Sequence, residues 1–175
     1  MRSPAGRSLV LATLLGLLLG VLGPAAPFAS AASPTSTRVE GIDVDAKTIP
    51  QLQRLMDRHR LSSVDLVEFY LHRIKKLNPK LNAVITVSRS ALADARKADK
   101  ARRHGEHRPL LGIPVIVKDN IDTRGMPTTA GSWALAGSTP GDAFIVKRLR
   151  AAGAIIIAKA NLSEWANFRS IPSSS

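Results

Sequence analysis

Two short apolar runs separated by an amphipathic segment constrain this chain more than any other feature. Pro109 to Val117 reads Pro-Leu-Leu-Gly-Ile-Pro-Val-Ile-Val, and Ala154 to Ala158 reads Ala-Ile-Ile-Ile-Ala. Runs of this kind are typical of strands buried on both faces. The first ends in Lys118-Asp119-Asn120 and the second at Lys159. Between them lie a Gly/Pro/Thr/Ser-rich loop, Thr123 to Gly141, and a helical pattern of Phe144, Ile145, Leu149 and Ala152. Asp142 is placed to cap that helix and Gly153 to stop it. Strand, loop, helix, strand is a βαβ unit, which requires a parallel pair and an α/β fold.

Upstream, the pattern is helical. Thr48 before Ile49-Pro50 opens a helix carrying Leu52, Leu55 and Met56. Ser62-Ser63-Val64-Asp65 forms a capping box, after which Leu66, Tyr70, Ile74 and Leu77 recur on one face. Asn78-Pro79 is expected to end that helix. Leu81 to Val87 reads as a strand. Ser88 to His104 reads as a polar-faced helix closed by Gly105. Asn161-Leu162-Ser163-Glu164 is a start signal for one more helix.

The first thirty residues have a different character. Arg2 and Arg7 precede Leu9 to Leu22, 14 residues that are all apolar, Gly or Thr, and then Ala29-Ser30-Ala31. A charged start, an apolar stretch of about 7–15 residues and an A-x-A site describe a secretory signal peptide. The run falls short of the roughly 20 residues that span a bilayer. Cleavage is expected near Ala31, giving a secreted protein with no stable membrane anchor. Residues 1–31 are thus the signal, 32–44 a spacer and 45–175 the folded part. The 175 residues contain no cysteine, which excludes disulfide scaffolds, thiolate metal sites and thiol nucleophiles.

Lys+Arg number 25 against Asp+Glu 13, a net charge of +12, and removing residues 1–31 with their two arginines leaves +10. Acids are interleaved with the bases between Arg54 and Arg108, and aromatic residues that would stack on bases are nearly absent there. The pattern describes a solvated basic face, with no nucleic-acid partner expected. A secreted, non-catalytic protein that binds anionic surface polymers through this charge is the alternative reading. His104-Gly105-Glu106-His107 reads as a surface turn, with no metal site expected.

Lys118 is the residue placed for chemistry. Open α/β sheets put their sites beyond the carboxyl ends of the strands. A lysine shielded from water there has a depressed pKa, and its neutral amine can take a proton from a hydroxyl. Asp119 is a candidate to orient Lys118 or its strand end, with an exposed turn acid as the equal alternative. Trp133 and Trp165 read as packing residues.

The segment from Leu111 to Asp122, Leu-Gly-Ile-Pro-Val-Ile-Val-Lys-Asp-Asn-Ile-Asp, resembles the amidase signature family where that family carries its catalytic lysine. The resemblance continues through Gly125-Met126-Pro127-Thr128-Thr129-Ala130-Gly131-Ser132, Val146 to Ala154, and Lys159-Ala160-Asn161-Leu162-Ser163-Glu164-Trp165-Ala166. Ser62 to Leu77 and Asn78 to Val84 look like the family's opening helices and first strand. The resemblance implies a mixed sheet flanked by helices, of which this chain supplies the N-terminal part. It implies amide hydrolysis by a Ser–cisSer–Lys triad with Lys118 as the base, no metal or organic cofactor, and a small-molecule or peptide amide as substrate. It also puts the Thr128–Ser132 loop close to the lysine, which makes Gly131 and Ser132 candidates for substrate binding through backbone groups, a plain turn being the equal alternative. Both catalytic serines of the family lie downstream of every residue here, and Ser132, Ser163 and Ser170 match neither. The chain alone is therefore expected to be inactive, and poorly folded without the rest of its sheet.

Overall fold

A computed structural model describes residues 36–167. The signal sequence read at residues 1–31 lies outside them.

The described chain opens with a hairpin, β1 (Arg38–Val39) against β2 (Ile42–Asp43), turning at Glu40-Gly41. Val39 and Val44 are buried in the same cluster as Leu52, Met56, Leu66 and Phe69. Val39 and Val44 thus belong to the core, within the stretch 32–44 read as a spacer. The signal was the alternation of Val39, Ile42 and Val44 around a two-residue turn.

Helix α1 (Ile49–Asp57) starts where expected, with a capping box between Thr48 and Gln51. Helix α2 (Ser63–Leu81) is capped by Ser62, whose hydroxyl accepts from the Asp65 N–H at 3.0 Å while the Asp65 carboxylate accepts from the Ser62 N–H at 2.9 Å. It runs past Asn78-Pro79 rather than stopping there. Proline removes one backbone hydrogen bond but lies in the last turn, where that loss is tolerable. Asn82, at φ 48, then closes the helix by donating to Asn78 O at 2.8 Å. The Asn78 side chain bonds both the N–H and the C=O of Val84, at 2.8 Å each, and so sets the turn into β3 (Val84–Val87). The strand consequently begins three residues later than Leu81.

Helix α3 (Ala91–Arg103) lays Ala91, Ala95 and Ala98 against α2 and the sheet. Strand β4 (Pro114–Lys118), helix α4 (Phe144–Ala151) and strand β5 (Ile155–Ala160) form the expected βαβ unit, with β4 and β5 parallel. The sheet order is β3-β5-β4, with β3 antiparallel to β5. The mixed sheet agrees with the α/β expectation.

The two apolar runs differ in environment. Only β5, the central strand, is buried on both faces, with Ile155, Ile156, Ile157, Ala158 and Lys159 all buried. Burying each isoleucine contributes about 1.5–3 kcal/mol. The other run supplies an edge strand, β4, on which Ile116 is 43% exposed.

Helix α4 is capped by Ala143, not Asp142, and seats Val146 against Val117, Met126 and Ile156. Phe144 and Ile145, which belong to its apolar pattern in the sequence, are exposed. Asp142 instead accepts from the Arg124 N–H at 2.8 Å and pairs with Arg150 at 3.1 Å. Gly153 stops the helix as expected, at φ 96, and a Cβ there would lie 2.6 Å from Leu111 Cα. Residues Glu164–Asn167 form a short irregular turn, with Trp165, Ala166 and Asn167 all at positive φ, where a regular helix was expected. Trp133 and Trp165 are exposed, so neither packs as the sequence suggested.

Candidate functional site

The carboxyl ends of β4 and β5 lie side by side, with Val117 opposite Lys159 and Lys118 opposite Ala160. Paired residues of parallel strands share a face, and successive residues alternate between faces. Lys159 and Asp119 therefore fall on the side of Val117, and Lys118 on the other side. Burial follows this geometry. Lys118 is exposed, whereas Asp119 and Lys159 are both fully buried.

A buried ammonium needs partners for its donors. Lys159 Nζ has the Asp119 carboxylate at 3.2 Å, Pro127 O at 3.1 Å and Thr128 Oγ1 at 2.8 Å. Asp119 in turn accepts from the Thr129 N–H at 3.1 Å and from the Thr129 hydroxyl. Its backbone N–H donates to Ala160 O at 3.0 Å, and its carbonyl accepts from the Ala130 N–H at 3.1 Å. Asp119 is thus neither a turn acid in water nor a partner of Lys118. It ties three chain segments together. Sequence reasoning assigned Lys159 no role; the available signal was a lysine closing the most apolar strand of the chain.

The loop after β4 folds into a shelf beside this pair. Gly131 adopts φ 70, and a Cβ there would lie 2.7 Å from Leu162 O, so close packing against residues 162–164 accounts for the glycine. The Gly131 N–H donates to Thr129 Oγ1 at 3.1 Å and the Ser132 N–H to Thr129 O at 2.9 Å. The Ser132 hydroxyl lies 2.6 Å from Glu164 Oε1 and accepts from the Ala134 N–H at 3.4 Å. Trp165 N donates to Ala130 O at 2.8 Å. The structure places Gly131 and Ser132 next to the end of β4, with their backbone donors engaged inside the loop.

Other charged groups have structural partners. Buried Arg102 bonds Leu111 O at 2.8 Å and Gln53 Oε1 at 2.5 Å and pairs with Asp57, joining α3 to α1. Asp45 joins the first hairpin's exit to α2 through Tyr70 Oη at 2.9 Å and Arg73 at 2.7 Å. Burial acts to raise the Asp45 carboxyl, but the hydrogen bonds from Arg73 and Tyr70 outweigh it and hold it below its usual value. Burial and the bond to Asp45 push the Tyr70 phenol up to about 12. A cleft of about 590 Å³ opens at the opposite ends of the strands, beside Leu111, Gly153 and Ile155. Of its four cations, Lys97, Arg108 and Arg150 are each paired with an acid, and Arg124 donates its backbone N–H to Asp142. Among the described residues, no group of three or more His, Asp or Glu is arranged to hold a metal ion.

A family profile described as Amidase matches residues 65–175. A putative amidase of Schizosaccharomyces pombe is 46% identical over 136 residues, covering 76% of this chain and 23% of that protein. A probable amidase of Arabidopsis thaliana is 48% identical over 132 residues, covering 73% of this chain and 26% of that protein. The crystal structure of native peptide amidase from Stenotrophomonas maltophilia superimposes with a TM-score of 0.70 at 47% identity, over 73% of this chain and 27% of that one. The chain spans about a quarter of the length of the curated relatives it matches.

Proposed function

Because the chain belongs to the amidase family, we propose that it is the N-terminal part of an amide hydrolase in which Lys118 is the base of a Ser–cisSer–Lys triad. The observation carrying this reading is the position of Lys118. It ends β4 on the face left open to solvent, while the backbone beside it is held by the bonds of Asp119. A base must reach a hydroxyl and be neutral when it does so. Chain covering this face of β4 would exclude water from Lys118, favour the neutral amine and bring the hydroxyl to it.

In this reading Lys118 takes the proton of the bridging serine as that serine takes the proton of the nucleophile. The nucleophile oxygen bonds the amide carbon, and backbone N–H groups stabilise the resulting oxyanion. The C–N bond then breaks, the proton returns to the departing amine, and water hydrolyses the acyl-enzyme. Gly131 and Ser132, on the loop that follows β4, contact the substrate by shape, because their N–H groups are engaged in the loop. No cofactor enters this chemistry.

The substrate class we propose is a peptide or small-molecule amide outside the cell. Residues 1–31 support export, and a tRNA-linked substrate does not fit an exported protein. N-terminal sequencing of the secreted protein should begin at Ala32.

The test is to express the complete reading frame and assay a panel of free carboxamides, peptide amides and aryl amides. Lys118→Met should lower kcat by about 10²–10⁴-fold, the usual contribution of a general base. The 175 residues alone should turn over none of the panel. Hydrolysis that survives Lys118→Met would remove the base assignment.

A further inference from the structure

We propose that Lys159 is a positioning residue for Lys118, acting through Asp119, an inference that rests on Lys118 being the base. Lys118 and Asp119 are consecutive and face opposite sides of the sheet. Whatever fixes Asp119 therefore fixes the direction in which Lys118 leaves the strand. Asp119 is held at its N–H, its carbonyl and its carboxylate by β5 and by Thr129-Ala130. Lys159 is the group that unites these contacts. One amine binds the carboxylate of the residue next to the base and, through Pro127 O and Thr128 Oγ1, the loop that follows β4.

A buried ion pair is a poor device for stability alone, since apolar residues of equal volume often serve as well or better. What the pair supplies here is a single geometry. The Asp119 carboxylate and Lys159 amine can meet only if β4, β5 and the loop are in register. Reacting groups need that precision, because displacement by about 1 Å can cost about 10²-fold in rate.

The experiment compares wild type, the double variant Asp119→Asn/Lys159→Met and Thr128→Val in the complete protein. The double variant removes both charges together, so it leaves no buried charge unpaired. Asparagine keeps an acceptor for Thr129. Expected is a fall in kcat of about 10–100-fold with KM nearly unchanged. Amide exchange at Asp119 and at Thr129 to Ser132 should accelerate about tenfold, while α2 keeps its protection. Thr128→Val, which removes one of the three Lys159 partners, should show the same pattern at about threefold and gives the answer if the double variant does not fold. A folded variant with wild-type kcat overturns the proposal. So does a loss of activity that tracks a general loss of α2 protection. Failure of the base assignment shows separately, as hydrolysis retained in Lys118→Met.

Discussion

Lys118 and Lys159 lie at the carboxyl ends of neighbouring parallel strands, one register position apart, yet one is exposed and the other fully buried. Their chemistry as free side chains is identical. The difference comes from strand order and face. Lys159 ends the central strand on the side covered by α4 and the loop, so its ammonium had to acquire three partners. Lys118 ends the edge strand on the other side, where its amine meets no such partner among the described residues. Placing a reactive group next to a committed one combines freedom of the side chain with rigidity of the backbone beneath it.

Single substitutions at the two lysines should separate these roles. In the complete protein, Lys118→Met should abolish most turnover, by about 10²–10⁴-fold. Its stability should change far less than in the Lys159 variant, because Lys118 has no buried counter-charge among the described residues for methionine to leave unpaired. Lys159→Met alone should do the reverse in denaturation, costing about 3–5 kcal/mol by leaving the Asp119 carboxylate buried without its counter-charge. Urea midpoints measured on both variants check the contrast, and equal stability losses would erase it.

Gly131→Ala sharpens the comparison by disturbing the loop without touching either lysine. Its positive φ and the 2.7 Å approach to Leu162 O predict a loss of about 2–3 kcal/mol. A smaller loss is expected at the start of α2, far from both. Ser62→Ala removes the acceptor for the Asp65 N–H and should cost about 1 kcal/mol with turnover unchanged.

The smallest effects lie in the pH dependence. The folded Tyr70 phenol stays protonated to about 12, while unfolded tyrosine ionises near 10. The unfolded state therefore holds fewer protons in that window, and stability should decline as pH rises through it. Asp45 acts at the other end. Its lowered pKa stabilises the fold above the ordinary value of 3.8, and that contribution is lost as acid titrates the folded carboxylate. Tyr70→Phe should flatten the alkaline slope in chemical denaturation curves taken at successive pH values.

Much of this was legible in the residues. The Ser62/Asp65 and Thr48 helix starts depend on side chains reaching backbone groups three positions away, and Gly153 stops α4 by its own conformational freedom. Other features were legible only in part. Asp142 had the chemistry of a cap, but Arg124 N and Arg150 captured its carboxylate. Pro79 looked like a stop, but the helix ran on to Leu81 and closed on Asn82.

By itself, the sequence determined the βαβ unit, the order of helices and strands, and the motif that points to the family, because periodicity and capping act over a few residues. Tertiary structure alone decided that β5 is central and β4 an edge, that Asp119 faces Lys159 rather than Lys118, and that Trp133 and Phe144 face outward. The reason is physical. Burial and ion pairing are set by whichever segment packs nearby, and the partners that meet at the strand ends come from positions 119, 127–130 and 159–165, brought together only by folding.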